Sequence, residues 1–147
     1  QAYRRPLHRS DSCTGDGDPN MTFPFDPQQG LILVSATLEG PLRTAQVRLA
    51  LDTGATDTAI NTVILRWTGY DPVLAPTIVE VTTGSGVQRI PLLTVAKLTA
   101  LGQDRTAFSV LGLTLPPSAG VDDVLGLDFL RGRLLTIDFQ GGQVALS

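Results

Sequence analysis

The chain has 147 residues, 42 % of them hydrophobic and 17 % charged, with mean hydropathy +0.15 and net charge −3. That balance suits one globular domain with a real core and excludes a disordered chain. The basic residues are scattered, which argues against nucleic-acid binding, and no apolar run approaches a membrane span. Cys13 and His8, each the sole residue of its type, lie near the start. They exclude an internal disulfide framework, a Ser-His-Asp or Cys-His catalytic group and a His/Cys zinc site. Chemistry is left to carboxylates, hydroxyls and backbone, and no metal or cofactor is expected.

Residues 1–29 carry Arg4, Arg5, Arg9, Asp11, Asp16 and Asp18 among Gly, Pro and Ser. They predict a mobile leader, in part foreign sequence or a pro-segment, ahead of a domain over 30–147. The leader lacks the apolar middle of a signal peptide, so the cytoplasm is the expected location. Residues 31–38 and 44–51 read as a β-hairpin broken at Glu39-Gly40-Pro41, with Val47, Leu49 and Leu51 sharing one face. A short strand at 58–60 precedes a short helix over 61–67 with Asn61 as its cap. Residues 77–83 and 87–98 flank Gly84-Ser85-Gly86 as a long hairpin. A strand at 106–113, a loop at 116–120, a short amphipathic helix at 124–131 and a closing hairpin over 133–146 complete the chain. Many short strands and little helix predict a closed all-β barrel or sandwich.

Two segments carry the chemistry. The alternating run 45–51 ends in Asp52-Thr53-Gly54-Ala55-Thr56, which puts a carboxylate at the end of a strand expected to be buried. Such a group must be hydrogen-bonded, and a hydroxyl-glycine turn can supply the bonds. Further on comes Val124-Leu125-Gly126-Leu127-Asp128-Phe129-Leu130. Asp-Thr-Gly alone is usually just a turn. Joined to the glycine-tipped hairpin and the second segment, it resembles the retropepsin-like aspartic proteases, single-domain relatives of pepsin that work as homodimers.

The resemblance covers about residues 31–147. It implies the acid-protease fold, half of pepsin, all-β with one short C-terminal helix. It implies that Asp52 is the catalytic carboxylate, and that Thr53 bonds across to the other subunit's turn. It also implies that Gly54 admits backbone close to the carboxylate and substrate. Thr83, Gly84, Ser85 and Gly86 fall where the family has a substrate-covering flap. The resemblance also implies that Val124, Leu125 and Gly126 form the wall through which the turn threads. Asp57 falls where relatives contact substrate backbone, and a solvated loop acid is its plain alternative. Ala55, Ile60 and Val124 are apolar candidates to line the cleft.

Aspartic-protease chemistry needs two carboxylates sharing a proton, one as general base on water and one as acid toward the scissile carbonyl. This chain has one Asp-Thr-Gly, so the second Asp52 must come from a second copy across a two-fold axis. The implied function is a homodimeric endopeptidase acting on peptides. The alternative is a catalytically silent dimer that binds peptides or serves as a scaffold. Among the other acids, Asp122 and Asp123 are read as negative charge ahead of the short helix, Asp128 as an i,i+3 partner of Arg131, and Asp138 as an outward strand residue.

Overall fold

A computed structural model of the chain describes residues 21–114 and 120–147. The expected loop at 116–120 therefore falls almost wholly outside the described residues. Strands β2 (Leu33–Glu39) and β3 (Thr44–Leu51) pair antiparallel from Leu33↔Ala50 to Glu39↔Thr44. Along β3, Ala45, Val47 and Leu49 are buried while Thr44, Gln46 and Arg48 are exposed, the period of two that the sequence spells. Strand β4 (Ala59–Asn61) leads into helix α1 (Thr62–Thr68). The Asn61 side chain accepts the Val63 N–H at 2.9 Å to cap the helix, and Gly69 at φ +111 ends it.

After a 3₁₀ turn at Pro72–Leu74, β5 (Thr77–Thr83) and β6 (Gly86–Ala100) form the long hairpin. A tight turn then reverses into β7 (Gln103–Leu113). Leu101 and Gly102 take φ +51 and +72 there. The left-handed region is unfavourable for leucine, but Leu101 is buried in the core, and that burial holds the turn.

The expected helix at 124–131 is corrected. Asp123–Leu125 is strand β8, and only Leu127–Leu130 is helical (α2). β8 lies between β3, to which it runs parallel (Leu51↔Leu125), and β4, to which it runs antiparallel (Ala59↔Val124). Extended backbone there satisfies hydrogen bonds on both sides, which a helix could not do. The sheet closes on itself through β2–β3–β8–β4–β7–β6–β2, leaving β5 outside the circuit. The result is an all-β barrel of six strands around Leu38, Val47, Leu49, Ile60, Val95, Leu98 and Leu125. No helix of the described residues is long and apolar enough to cross a membrane.

A second sheet joins β1 (Phe23–Pro24), β10 (Gln143–Leu146) and β9 (Leu135–Asp138) in that order. β1 lies inside the expected leader. Phe25 donates its N–H to Gly142 O at 2.9 Å, is buried, and meets Phe139 edge-on at 5.6 Å. Phe23–Phe25, placed in the leader by the sequence, are thus part of the folded unit. A chain beginning at Met21 is expected to melt like the full chain. One beginning at Gly30 should lose about 2 kcal/mol, the worth of a buried phenylalanine; equal melting temperatures for the two truncations would refute this.

Candidate active site

β3 carries the chain to the Asp52 turn. Asp52 donates its N–H to Leu125 O at 3.0 Å, extending the β3–β8 ladder by one bond. The turn closes with Ala55 N–H on Asp52 O at 3.2 Å. The carboxylate Oδ1 accepts the Gly54 N–H at 2.9 Å. Asp52, Thr53 and Gly54 are all exposed in the single chain. The expectation of a buried acid is therefore corrected: β3 is buried only as far as Ala50, and the turn projects beyond the barrel wall.

Beyond the turn, residues 55–58 run against the start of α2. Leu127 N–H donates to Ala55 O at 2.8 Å and Asp128 N–H to Thr56 O at 3.2 Å. A Cβ on Gly126 would stand 2.7 Å from the Asp57 carbonyl carbon and 2.9 Å from Ala55 O, so only glycine fits. Fully buried Thr58 bolts the two segments together. Its Oγ1 accepts the Gly126 N–H at 3.0 Å and donates to Asp128 Oδ1 at 2.7 Å. The same carboxylate oxygen accepts the Thr58 N–H at 3.0 Å and the Phe129 N–H at 2.8 Å. Asp128 is thus an anchor for the turn, not a partner of Arg131. Sequence reasoning missed both Thr58 and Asp128; the only signal was an acid at the start of a very short helix.

The structure brings Asp52, Thr53, Gly54 and Ala55 together with the wall at Val124, Leu125 and Gly126. Val124 packs with Ala59, Ile90 and Leu111 in a small apolar cluster that also takes Val79 and Val81 from the hairpin. The base of the β5–β6 hairpin is therefore tied to the same wall. At its tip Gly84 and Ser85 are exposed, and a Cβ on Gly84 or Gly86 would meet nothing within 4 Å. Thr83 pairs with Gly86 across the tip. The Asp57 side chain is exposed, while its backbone lies against Gly126. Ile60 is fully buried in the main core and cannot line a cleft.

The acids ahead of α2 also differ from expectation. Asp122 Oδ2 accepts the Arg48 N–H at 2.8 Å, tying the loop to β3. Asp123 is buried at 2 % exposure with φ +122, and its Oδ2 has no hydrogen-bond partner. Asp138 accepts the N–H groups of Gln140 and Gly141 and shapes the closing turn. No group of three or more His, Cys, Asp or Glu capable of holding a metal occurs among the described residues.

A family described as "gag-polyprotein putative aspartyl protease" matches residues 38–132, which include both the Asp52 turn and the Val124–Gly126 wall. The chain belongs to the retropepsin-like aspartic protease family. Among solved structures, a retropepsin-like aspartic protease from Rickettsia conorii has the same fold at TM-score 0.64. It is 16 % identical, with 86 % of this chain and 88 % of that one covered. No curated protein matches the sequence.

In this retropepsin-like chain the buried Asp123 makes stability depend on pH. Burial raises its pKa from 3.8 to about 6, partly offset by a hydrogen bond from the Val124 N–H. The folded state therefore holds this proton more tightly than the unfolded state. The advantage is complete below the unfolded value and is lost as pH rises through about 6. Asp123→Asn is expected to gain on the order of 2 kcal/mol at pH 7, because it removes a buried charge. The gain should vanish near pH 4. A gain that does not change between pH 4 and pH 7 in urea unfolding would rule out this account.

Proposed function

We propose that the chain is an aspartic endopeptidase whose active unit is a homodimer, with the two Asp52 carboxylates facing each other across a two-fold axis. The observation that carries this reading is the Asp52 turn itself. It is exposed at the barrel rim, closed by Gly54 and fixed to the Gly126 wall by paired backbone bonds. A turn so fixed yet uncovered in one chain suits a site completed by a second copy.

In the dimer one carboxylate is ionised and its mate protonated, because two like charges so close cannot both ionise readily. The ionised Asp52 takes a proton from a water as that water attacks the peptide carbonyl carbon, and the other donates its proton to the carbonyl oxygen. Collapse of the tetrahedral intermediate breaks the C–N bond. The proton taken from water passes to the leaving nitrogen while a hydroxyl of the intermediate returns a proton to the second carboxylate, so the products are an acid and an amine and the pair is regenerated. Thr53 bonds across the interface to the partner turn. Gly54 keeps the approach to the carboxylates open, and Ala55, Asp57 and Val124 contact the peptide. Thr83, Gly84, Ser85 and Gly86 at the hairpin tip close over it, their backbone groups reaching the substrate.

Activity must then follow dimer concentration. Specific activity should fall on dilution in step with dissociation measured by sedimentation. Full activity from a demonstrated monomer ends this reading.

A further inference from the structure

The hairpin has a second face that this mechanism does not use. Strand alternation sends Val79 and Ile90 toward Val124, and Ile78, Arg89 and Pro91 the opposite way. On that outer side a cavity of about 530 Å³ opens between the hairpin, α1 and the 3₁₀ turn. Thr62 and Arg66 of α1 and Val73 of the turn form its other walls. The volume is within the usual range for ligand sites, about 300–1,000 Å³. Val73 is 77 % exposed and Ile78 45 %, so the groove offers aliphatic surface to solvent.

Its charge is one-sided. The lining holds two arginines and no acid, in a chain of net charge −3. Neither Arg66 nor Arg89 is in an ion pair among the described residues. Glu80 shares this outer face directly opposite Arg89, but it forms no ion pair with it and lies outside the lining.

We infer that this groove, on the outer side of the hairpin, docks an extended segment of the protein substrate in which aliphatic and acidic residues recur at every second position, so that both kinds share the face laid into the groove. Aliphatic side chains cover Val73, Ile78 and Pro91, and carboxylates pair with the Arg66 and Arg89 guanidiniums. As a substrate-docking site the groove depends on the protease reading above; as a binding site for such a peptide it does not.

The test uses a fluorescein-labelled Val-Ser-Glu-Ser-Ile-Ser-Asp-Ser-Leu peptide, whose aliphatic and acidic residues share one face, and the full chain, both as the parent and with Asp52→Asn. Saturable binding is expected in both, and its persistence in the inactive protein separates it from the protease reading. Arg66→Gln with Arg89→Gln should raise Kd at least about ten-fold at unchanged melting temperature. The matching Val-Ser-Lys-Ser-Ile-Ser-Lys-Ser-Leu peptide should not bind. Joined to a cleavable peptide, the acidic segment should lower KM in the parent, leave kcat alone, and do neither in the double variant. Absence of binding, equal binding of the lysine peptide, full binding by the double variant, or a KM indifferent to the segment would each overturn the proposal.

Discussion

Asp52→Asn is expected to abolish peptide hydrolysis, lowering kcat/KM by about 10³-fold or more while leaving the melting temperature of the chain unchanged. Asparagine has the same shape, and its carbonyl oxygen can still accept the Gly54 N–H that Oδ1 accepts at 2.9 Å. The site is exposed in the single chain, so no packing is lost. What disappears is the ionisable pair: an amide neither takes a proton from water nor gives one to a carbonyl. A variant that cleaves peptides at the parent rate would place the chemistry elsewhere. A parent that binds peptides but never cleaves them would favour the silent module.

The parts of this molecule that were legible in the sequence are those fixed by local rules. The β2–β3 hairpin follows from strict alternation around Gly40-Pro41. Helix α1 follows from an asparagine cap followed by residues whose backbone it can serve. The Asp52 turn and the Gly126 wall were legible as a pair through their resemblance to the retropepsin-like proteases, and at Gly126 the structure gives the physical reason, backbone of Asp57 and Ala55 within 2.9 Å of where a Cβ would stand. What was not legible depends on partners distant in the chain. Asp128 has an arginine three residues on, yet it bonds Thr58, 70 residues away. Residues 123–125 have a helical neighbourhood but gain two strand partners, from β3 and β4. Phe23 and Phe25 sit among proline, glycine and aspartate, the composition of a leader, and the surface they cover, the closing hairpin and the main core, comes from distant parts of the chain.

The same dependence makes Gly126 the residue where a one-carbon change should do most harm to the fold. Gly126→Ala would put a methyl 2.7 Å from the Asp57 carbonyl carbon, 2.8 Å from its oxygen and 2.9 Å from Ala55 O. All three are backbone atoms, so no rotamer change relieves the clash, and the two segments must separate. Separation lengthens the bonds from Leu127 N–H to Ala55 O and from Gly126 N–H to Thr58 Oγ1, now 2.8 Å and 3.0 Å. It also pulls Thr58 Oγ1 away from Asp128, leaving a buried hydroxyl and a carboxylate short of partners. The expected loss is on the order of 4 kcal/mol in urea unfolding. Molecules that stay folded should also cleave peptides poorly, because the displaced segment begins three residues after Asp52. Gly84→Ala is the matched control, since a Cβ there meets nothing within 4 Å and should leave stability near that of the parent. If both variants unfold at the parent's urea midpoint, the turn is not held by its contact with the wall.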